Sequence, residues 1–503
     1  MDRLAAIDAH LTEINRRLAA EFRDYATLSD PEPSSVQQVL ADLRPDEALV
    51  LFFDTPEEKP APGETFVWIV TKTDLRWIRS DLSRASLARE VAALRCGLDA
   101  TAWAGPACQS LVGKVMTQAD VQMGKPPPFD HASAHKLYRA LFGEVDDVIK
   151  GRHLLVVPSG ALTQLPFHVL LTETPANDKS IAWLVRGHAL TVLPAVSSLK
   201  ALRRVARPSA ATKPMIGFGD PLLDGPDGRY ANLAKLARDK QRCPQISETR
   251  MASKSDLRGV VATIAMRGGL AEVAEIKAAP PLPETSDELC AVARYLKADV
   301  REMRLGTRAT EREIKALSAT GLLASFRILH FATHGALAGQ LNGTAESGLI
   351  LTPPDRATEE DDGYLSASEI ASLKLDADWV ILSACNTAAG SAAPGAETLS
   401  GLAPAFFYAQ ARALLVSHWE VNSDATVKLI TSAVGEMAAD KSVGRAEALR
   451  RAMLAMIDTG EPREAHPTYW APFVVVGEGA ANPVILTRPR LPTGVRGALP
   501  PRS

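Results

Sequence analysis

The sequence predicts an α/β protein built on a mostly parallel sheet with helices on both faces. Two observations carry this. Short apolar runs at residues 154–157, 189–193, 215–219, 327–333, 379–384, 413–417 and 473–477 read as buried strands, and stretches with helical periodicity fill most of the gaps between them. Strands joined through helices are parallel crossovers, and such a sheet needs cover on both faces. Composition agrees: 46% hydrophobic and 23% charged residues describe an ordinary globular chain. At roughly 150 residues per domain, a chain of 503 residues holds about three units.

Residues 1–28 read as a helix, because Ile7, Leu11, Ile14, Leu18 and Phe22 recur at three- and four-residue steps. The Asp30-Pro-Glu-Pro-Ser-Ser35 cluster stops it, and Val36, Val39, Leu40 and Leu43 mark a short second helix. Neither recurs in the chain, so no repeat array is present. Runs at 48–53 and 65–71 flank a Pro/Gly-rich turn and predict a hairpin, with a third strand at 75–78. Residues 82–98 and 134–150 read as helices, the strand at 154–157 ends at Pro158-Ser159-Gly160, and another helix starts at 197–204.

The strand at 215–219 opens a second unit. Residues 222–283 are rich in Gly, Pro, Lys and Arg with weak periodicity, and are expected to form a long insertion or flexible linker. Thr285-Ser-Asp-Glu288 and Thr310-Glu-Arg-Glu313 read as capping boxes, each followed by an apolar helical face. Further helices are expected at 366–373, 398–410, 423–439 and 443–457. The resulting division is a helical lead-in (1–44), a first α/β half (45–206), a second α/β unit (207–482) and a Pro/Arg-rich tail (483–503) expected to be disordered.

Charge and cysteine usage narrow the function classes. Lys plus Arg is 56 and Asp plus Glu is 59, a net −3, which argues against wholesale binding to nucleic acid. The start, MDRLAAIDAHLTEINRR, is charged from residue 2 and has no signal-peptide core. The most apolar window, 153–171, is broken by Pro158, Gln164, Pro166 and His168 and does not suit a membrane span. The five cysteines (96, 108, 243, 290 and 385) are odd in number and form no CxxC pair. Neither a disulfide framework nor a zinc site is predicted, and a reducing, cytoplasmic environment is expected. No cofactor or metal is called for.

Three predicted strands end in reactive residues, His334, Cys385 and His418. In open α/β sheets, ligands bind beyond the carboxyl ends of the strands. A cysteine nucleophile needs a proton acceptor nearby and backbone donors for the oxyanion of its tetrahedral intermediate. His334 would be the acceptor, and the N–H groups of Gly335 and Cys385 the donors. His330, within its strand, reads as a core residue. Gly217-Phe-Gly219 lacks the third glycine of a dinucleotide loop, and GxSxG, P-loop and HExxH motifs do not occur. The acidic run at 359–362 reads as a solvated loop.

The blocks HFATHG (330–335), GLILTP (348–353), DGYLSASEIASLKLDADWVILSACNTAAG (362–390), GAETLSGLAPAFFYAQARALLVSHWEVNSDAT (395–426) and YWAPFVVVGEG (469–479) resemble the CHAT family of caspase-like domains. LLVVPSGALTQLPFHVLL (154–171), GHALTVLPAVSSLKAL (187–202), MIGFGDPLL (215–223), PLPETSDEL (281–289) and the stretch from Glu47 on are similar too, so the resemblance extends over roughly residues 45–480. The separation of His334 and Cys385, 385 − 334 = 51, fits a caspase-type spacing, although Ser-Ala-Cys-Asn-Thr replaces the local caspase signature. The resemblance implies a caspase-like second unit, preceded by a smaller degenerate caspase-like half. It implies His334 as general base and Cys385 as nucleophile in hydrolysis of a peptide bond in a protein substrate. The setting would be bacterial signalling or defence, with a regulatory protein partner at the N-terminal region. The residue two before the nucleophile, Ser383, would line the pocket for the side chain before the scissile bond. Being small and neutral, it does not by itself support a strong Arg/Lys preference, which Glu397 or Asp424 would have to restore. Trp419 would wall that pocket, and His418 would be an alternative base or an orienting group. The competing readings are a non-catalytic interaction scaffold on the same fold and a thiol esterase or acyltransferase using the same pair.

Overall fold

The computed structural model describes residues 34–480 apart from 59–62, 105, 118, 121–122, 124, 175–180, 206–208, 245–263, 268–269, 337–340, 343–345, 384–401 and 420–422. The predicted helix at 1–28 and the tail at 483–503 lie outside the described residues. A single sheet of eleven strands organises the chain. Its strands are β1 (Glu47–Asp54), β2 (Thr65–Thr71), β3 (Leu75–Ser80), β4 (His153–Val157), β5 (Leu190–Val192), β6 (Lys213–Gly219), β7 (Met303–Leu305), β8 (Phe326–Ala332), β9 (Trp379–Leu382), β10 (Ala413–Ser417) and β11 (Phe473–Gly477). Their order across the sheet is β3-β2-β1-β4-β5-β11-β10-β9-β8-β6-β7. Only the β1–β2, β2–β3 and β10–β11 pairs are antiparallel. The parallel pairing of β5 with β11 joins the strands of the first half to those of the second unit.

Nine helices of the described residues matter for the packing: α1 (Val36–Asp42), α2 (Arg84–Cys96), α3 (His131–Phe142), α4 (Ser198–Val205), α5 (Glu284–Tyr295), α6 (Glu311–Ala319), α7 (Leu402–Tyr408), α8 (Ser423–Ala439) and α9 (Arg445–Thr459). Strand residues alternate between two cores, as a period of two requires. Ile328, Trp379, Ile381, Ala413 and Leu415 face α2, α3, α5, α8 and α9. Leu329, Phe331, Val380, Leu382 and Leu414 face α1, α4, α6 and α7. The mostly parallel sheet covered on both faces is therefore the expected fold class.

The fit of α5 on the sheet depends on two glycines of β6. A Cβ at Gly217 would come within 2.9 Å of Leu289 Cδ2, and one at Gly219 within 2.7 Å of Leu289 Cδ1 and 2.8 Å of the Ala332 carbonyl oxygen. The Gly-Phe-Gly segment thus serves close helix–strand packing, consistent with discounting it as a nucleotide loop.

Four expectations need correction. First, α5 starts after Pro283 with no side-chain cap. Thr285 lies inside its first turn, donates to the Leu282 carbonyl and accepts the Asp220 N–H, so it is not a capping residue. Thr310 does cap α6, accepting from Glu313 N, but the Glu313 side chain pairs with Arg304 and does not close a box. Second, the described parts of 222–283 are not a structureless linker. Residues Ala231–Asp239 form a helix that buries Leu233, Ala234 and Ala237, and Leu223, Ala271, Ile276 and Ala279 share a small core with Ile350 and Tyr364. Alanines carry much of these faces, which is why the apolar period is weak. Third, within the acidic run Asp361 and Asp362 are buried, and Asp362 accepts from the backbone N–H of Ala271 and Tyr364.

Fourth, four cysteines are paired. Cys96–Cys108 and Cys243–Cys290 are disulfides, each with Cα atoms 5.5 Å apart. The second joins positions 47 residues apart, a proximity that only the docking of α5 creates and that no local motif announces. These pairs account for four of the five cysteines, and the fifth is Cys385. Titration of the denatured, unreduced protein should therefore give one thiol per chain, labelled at Cys385, whereas three or five thiols would contradict the pairing. Removing Cys243–Cys290 by Cys243→Ser should cost up to about 4 kcal/mol of unfolding free energy in a denaturant titration. Gly219→Ala should cost about 1–3 kcal/mol in the same measurement, because the backbone oxygen of Ala332 cannot move aside.

Candidate functional site

The carboxyl ends of β6, β8, β9 and β10 lie side by side. They present Asp220, His334, Ser383 and His418, each within two residues of its strand end. His334 is 3% exposed. Its Nε2 donates to the Pro280 carbonyl at 2.7 Å, and its own carbonyl accepts from Ile350 N at 2.9 Å. With the proton on Nε2 engaged, Nδ1 is the nitrogen with a lone pair. Burial holds the ring down at about 4, with the bond to Pro280 acting in the opposite sense. At neutral pH His334 is thus an uncharged imidazole with a fixed orientation. Gly335 follows it, half-buried, in a small sheet opposite Leu349.

The neighbouring strand β9 ends at Leu382, and Ser383 N still donates to the Phe331 carbonyl at 3.1 Å. Ser383 is half-buried. Its Oγ donates to Glu288 Oε1 at 2.6 Å, and His330 Nε2 lies 2.9 Å from both the Ser383 hydroxyl and Glu288 Oε1. His330 is fully buried, as expected of a core residue, but it belongs to a polar cluster. Cys385 and Glu397 lie outside the described residues.

On the other side, His418 follows β10 and is 3% exposed, and both its ring nitrogens lack a bonding partner among the described residues. Burial, then the neighbouring Arg95 and His168, drive its ring well below the usual imidazole range. Arg95 Nη2 donates to the His418 carbonyl at 3.1 Å. Trp419 is 1% exposed and packs in the core, its indole N–H donating to the Thr468 carbonyl at 3.2 Å, so it offers no open wall. Asp424 is exposed in the first turn of α8.

Three residues escaped the sequence reading. Pro280 gave no signal at all. Glu288 did: it falls on the same helical stripe as Thr285, Leu289 and Val292, and an acid within an apolar stripe calls for a buried partner. Asp220, just past β6, has φ 49° and is fully buried, with neither carboxyl oxygen bonded among the described residues. Burial, then Glu284, push its carboxyl up to about 8. Among the described residues, no group of three or more His, Cys, Asp or Glu is placed to hold a metal ion, and no helix is long and apolar enough to cross a membrane.

The histidines set an acid limit to stability. Burial lowers His153, His334 and His466 to about 4 and His168 to about 3, and lowers His188 and His418 as well. Each stays neutral in the fold while its unfolded counterpart takes up a proton below about 6.5, so stability is lost as pH falls through that value. Raised carboxyls such as Asp220 act with the opposite sign, but the six histidines prevail between about 6.5 and 4. Unfolding free energy should fall by on the order of 2 kcal/mol from pH 7 to pH 5, and an unchanged melting temperature over that interval would refute the assignment.

A family model for the CHAT domain matches residues 131–478, more than half of the chain. Comparison with the curated proteins returns no match. Among solved structures, the chain is similar to chains in two crystal structures of the Saccharomyces cerevisiae separase–securin complex. Identity is 9% and 11%, TM-scores are 0.43 and 0.40, and the match covers 88% of this chain but only 30% and 31% of those chains. It is also similar to the Arg-specific cysteine proteinase gingipain R, at 9% identity and TM-score 0.35, over 71% of this chain and 69% of that one. The chain thus spans under a third of the length of the separase-complex chains it matches, and at these scores the structural likenesses carry no argument about activity. The family match, on a mostly parallel sheet whose strand ends gather His334, Ser383 and His418, is decisive: the chain belongs to the CHAT family.

Proposed function

We propose that the protein is a cysteine peptidase acting on a protein substrate, with Cys385 as nucleophile and His334 as general base. The observation that carries this reading is the fixed, neutral His334, anchored by the Pro280 carbonyl at the end of β8, next to the strand that leads into Cys385. Its Nδ1 takes the thiol proton as Sγ attacks the peptide carbonyl carbon. The resulting imidazolium keeps its Nε2–H bond to Pro280, which stabilises the charge. The proton then passes to the leaving amine, the C–N bond breaks and an acyl-enzyme remains. Water, deprotonated by His334, attacks the thioester, releases the new carboxyl terminus and restores the thiol. The N–H groups of Gly335 and Cys385 serve as oxyanion donors.

The cysteine count supports this reading, because the two disulfides leave Cys385 as the remaining thiol. The same disulfides suit an oxidising compartment better than the reducing cytoplasm.

Purified protein incubated with a cell lysate should generate new protein N-termini that the Cys385→Ala and His334→Ala variants reduce by at least about a hundredfold. Termini that persist in Cys385→Ala would remove the nucleophile, and absence of any Cys385-dependent terminus would favour a scaffold instead.

A further inference from the structure

The two edges of the large sheet are finished differently. At one edge, β7 is three residues long, Met303 and Leu305 are buried, and Arg308 Nη2 donates to the Met303 carbonyl at 2.6 Å. At the other, β3 runs over six residues and, among the described residues, pairs on one side only, with β2. Thr71 N donates to the Asp74 carbonyl at 2.8 Å, which fixes the phase of the β2–β3 ladder. Bonded pairs alternate along an antiparallel ladder, so Arg76, Ile78 and Ser80 bond inward to β2. Leu75, Trp77 and Arg79 therefore turn their N–H and C=O groups outward, and a row of such groups is a template for another strand.

The devices that usually blunt such an edge are missing or cancelled. β3 contains no proline. Its two arginines are neutralised within the chain: Arg76 pairs with Asp74 at 3.1 Å and Asp147 at 3.0 Å, and Arg79 pairs with Glu64 at 2.6 Å. Trp77 is 58% and Leu75 42% exposed. On the same face Phe53, Trp68, Phe66 and Trp77 make a chain of ring contacts, with neighbouring centroids 5.9–6.4 Å apart. An exposed apolar patch rimmed by charged residues marks an interaction surface.

The residue pattern of β3 points to a second copy of the chain as the occupant. A strand pairs antiparallel with its own copy about a two-fold axis. An axis at Trp77 sets Trp77 opposite the copy's Trp77, Leu75 opposite Arg79 and Arg76 opposite Ile78. Every outward group of Leu75, Trp77 and Arg79 is then bonded, and no arginine faces an arginine. An axis at Arg76 or Arg79 would oppose like charges, and one at Ile78 would set Leu75 opposite Asp81, beyond the strand. Leu51, Trp68 and Trp77 already form one cross-strand row, which continues through the axis into the same row of the copy. We propose that β3 binds β3 of a second copy, antiparallel and centred on Trp77, joining two sheets into one. β9 lies seven strands from β3, so this pairing leaves the candidate site uncovered.

Sedimentation velocity of the full-length protein over a concentration series tests the pairing. The mass should rise from one chain to two and no further, with a dissociation constant in the micromolar range of small interfaces. Trp77→Lys, which sets two lysines on the axis, should weaken association at least about tenfold while the thermal melt stays unchanged. Cysteine variants in a Cys385→Ala background test the register. Trp77→Cys should form an interchain disulfide under mild oxidation, because bonded opposite residues have Cα atoms about 5.5 Å apart. Leu75→Cys, which faces Arg79 of the copy, should not. A chain that stays monomeric throughout the series, a mass beyond two chains, or a dimer untouched by Trp77→Lys would each overturn the inference. So would failure of Trp77→Cys to crosslink, or equal crosslinking by Leu75→Cys. The wild-type and cysteine series decide the matter even where Trp77→Lys fails to fold.

Discussion

The distance between α5 and the sheet governs the candidate site. Gly217 and Gly219 present bare backbone to Leu289, so the helix descends further than any side chain on β6 would allow. That descent brings Glu288, one residue before Leu289, across β8 to Ser383 at the end of β9. It also sets the height of the segment leading into the helix, from which the Pro280 carbonyl reaches His334. Two polar contacts on two different strands therefore share one apolar cause. Apolar packing is unsigned and tolerant, whereas a 2.6–2.9 Å hydrogen bond is not. The glycines convert the first into the precision the second needs.

Both polar clusters are anchored from α5 or the segment leading into it. Burial keeps His334 uncharged, while the Pro280 carbonyl offers a bond that strengthens once the ring becomes cationic. Ser383, two residues before Cys385 in the sequence, donates its hydroxyl to Glu288 Oε1 of α5.

Ten of the eleven sheet strands were legible as short apolar runs, whereas β7, three residues long with Arg304 at its centre, carries too little pattern to be seen; α8 was placed at 423–439 as the structure has it. The start of α5 was not, because Thr285 and Glu288 have the spacing of a capping box but use their side chains for tertiary contacts with Asp220 and Ser383. The position of His334 just past a strand end, next to a glycine, was legible. Pro280, Glu288 and Asp220 were not, since their roles depend on which element lies opposite, and pairwise apposition is a property of the fold. The Cys243–Cys290 pair failed for the same reason, its halves separated by 47 positions.

The odd cysteine count acquires a physical meaning only when the disulfides and the site are considered together. A chain with two disulfides and one further thiol faces exchange: a thiolate can attack either bond and scramble the pairing. Cys290 is 1% exposed and Cys96 and Cys108 are each 3% exposed, so three of the four sulfur-bearing residues are shielded from an attacking thiolate. Burial of these cysteines limits exchange between the two disulfides and the one remaining thiol of the chain.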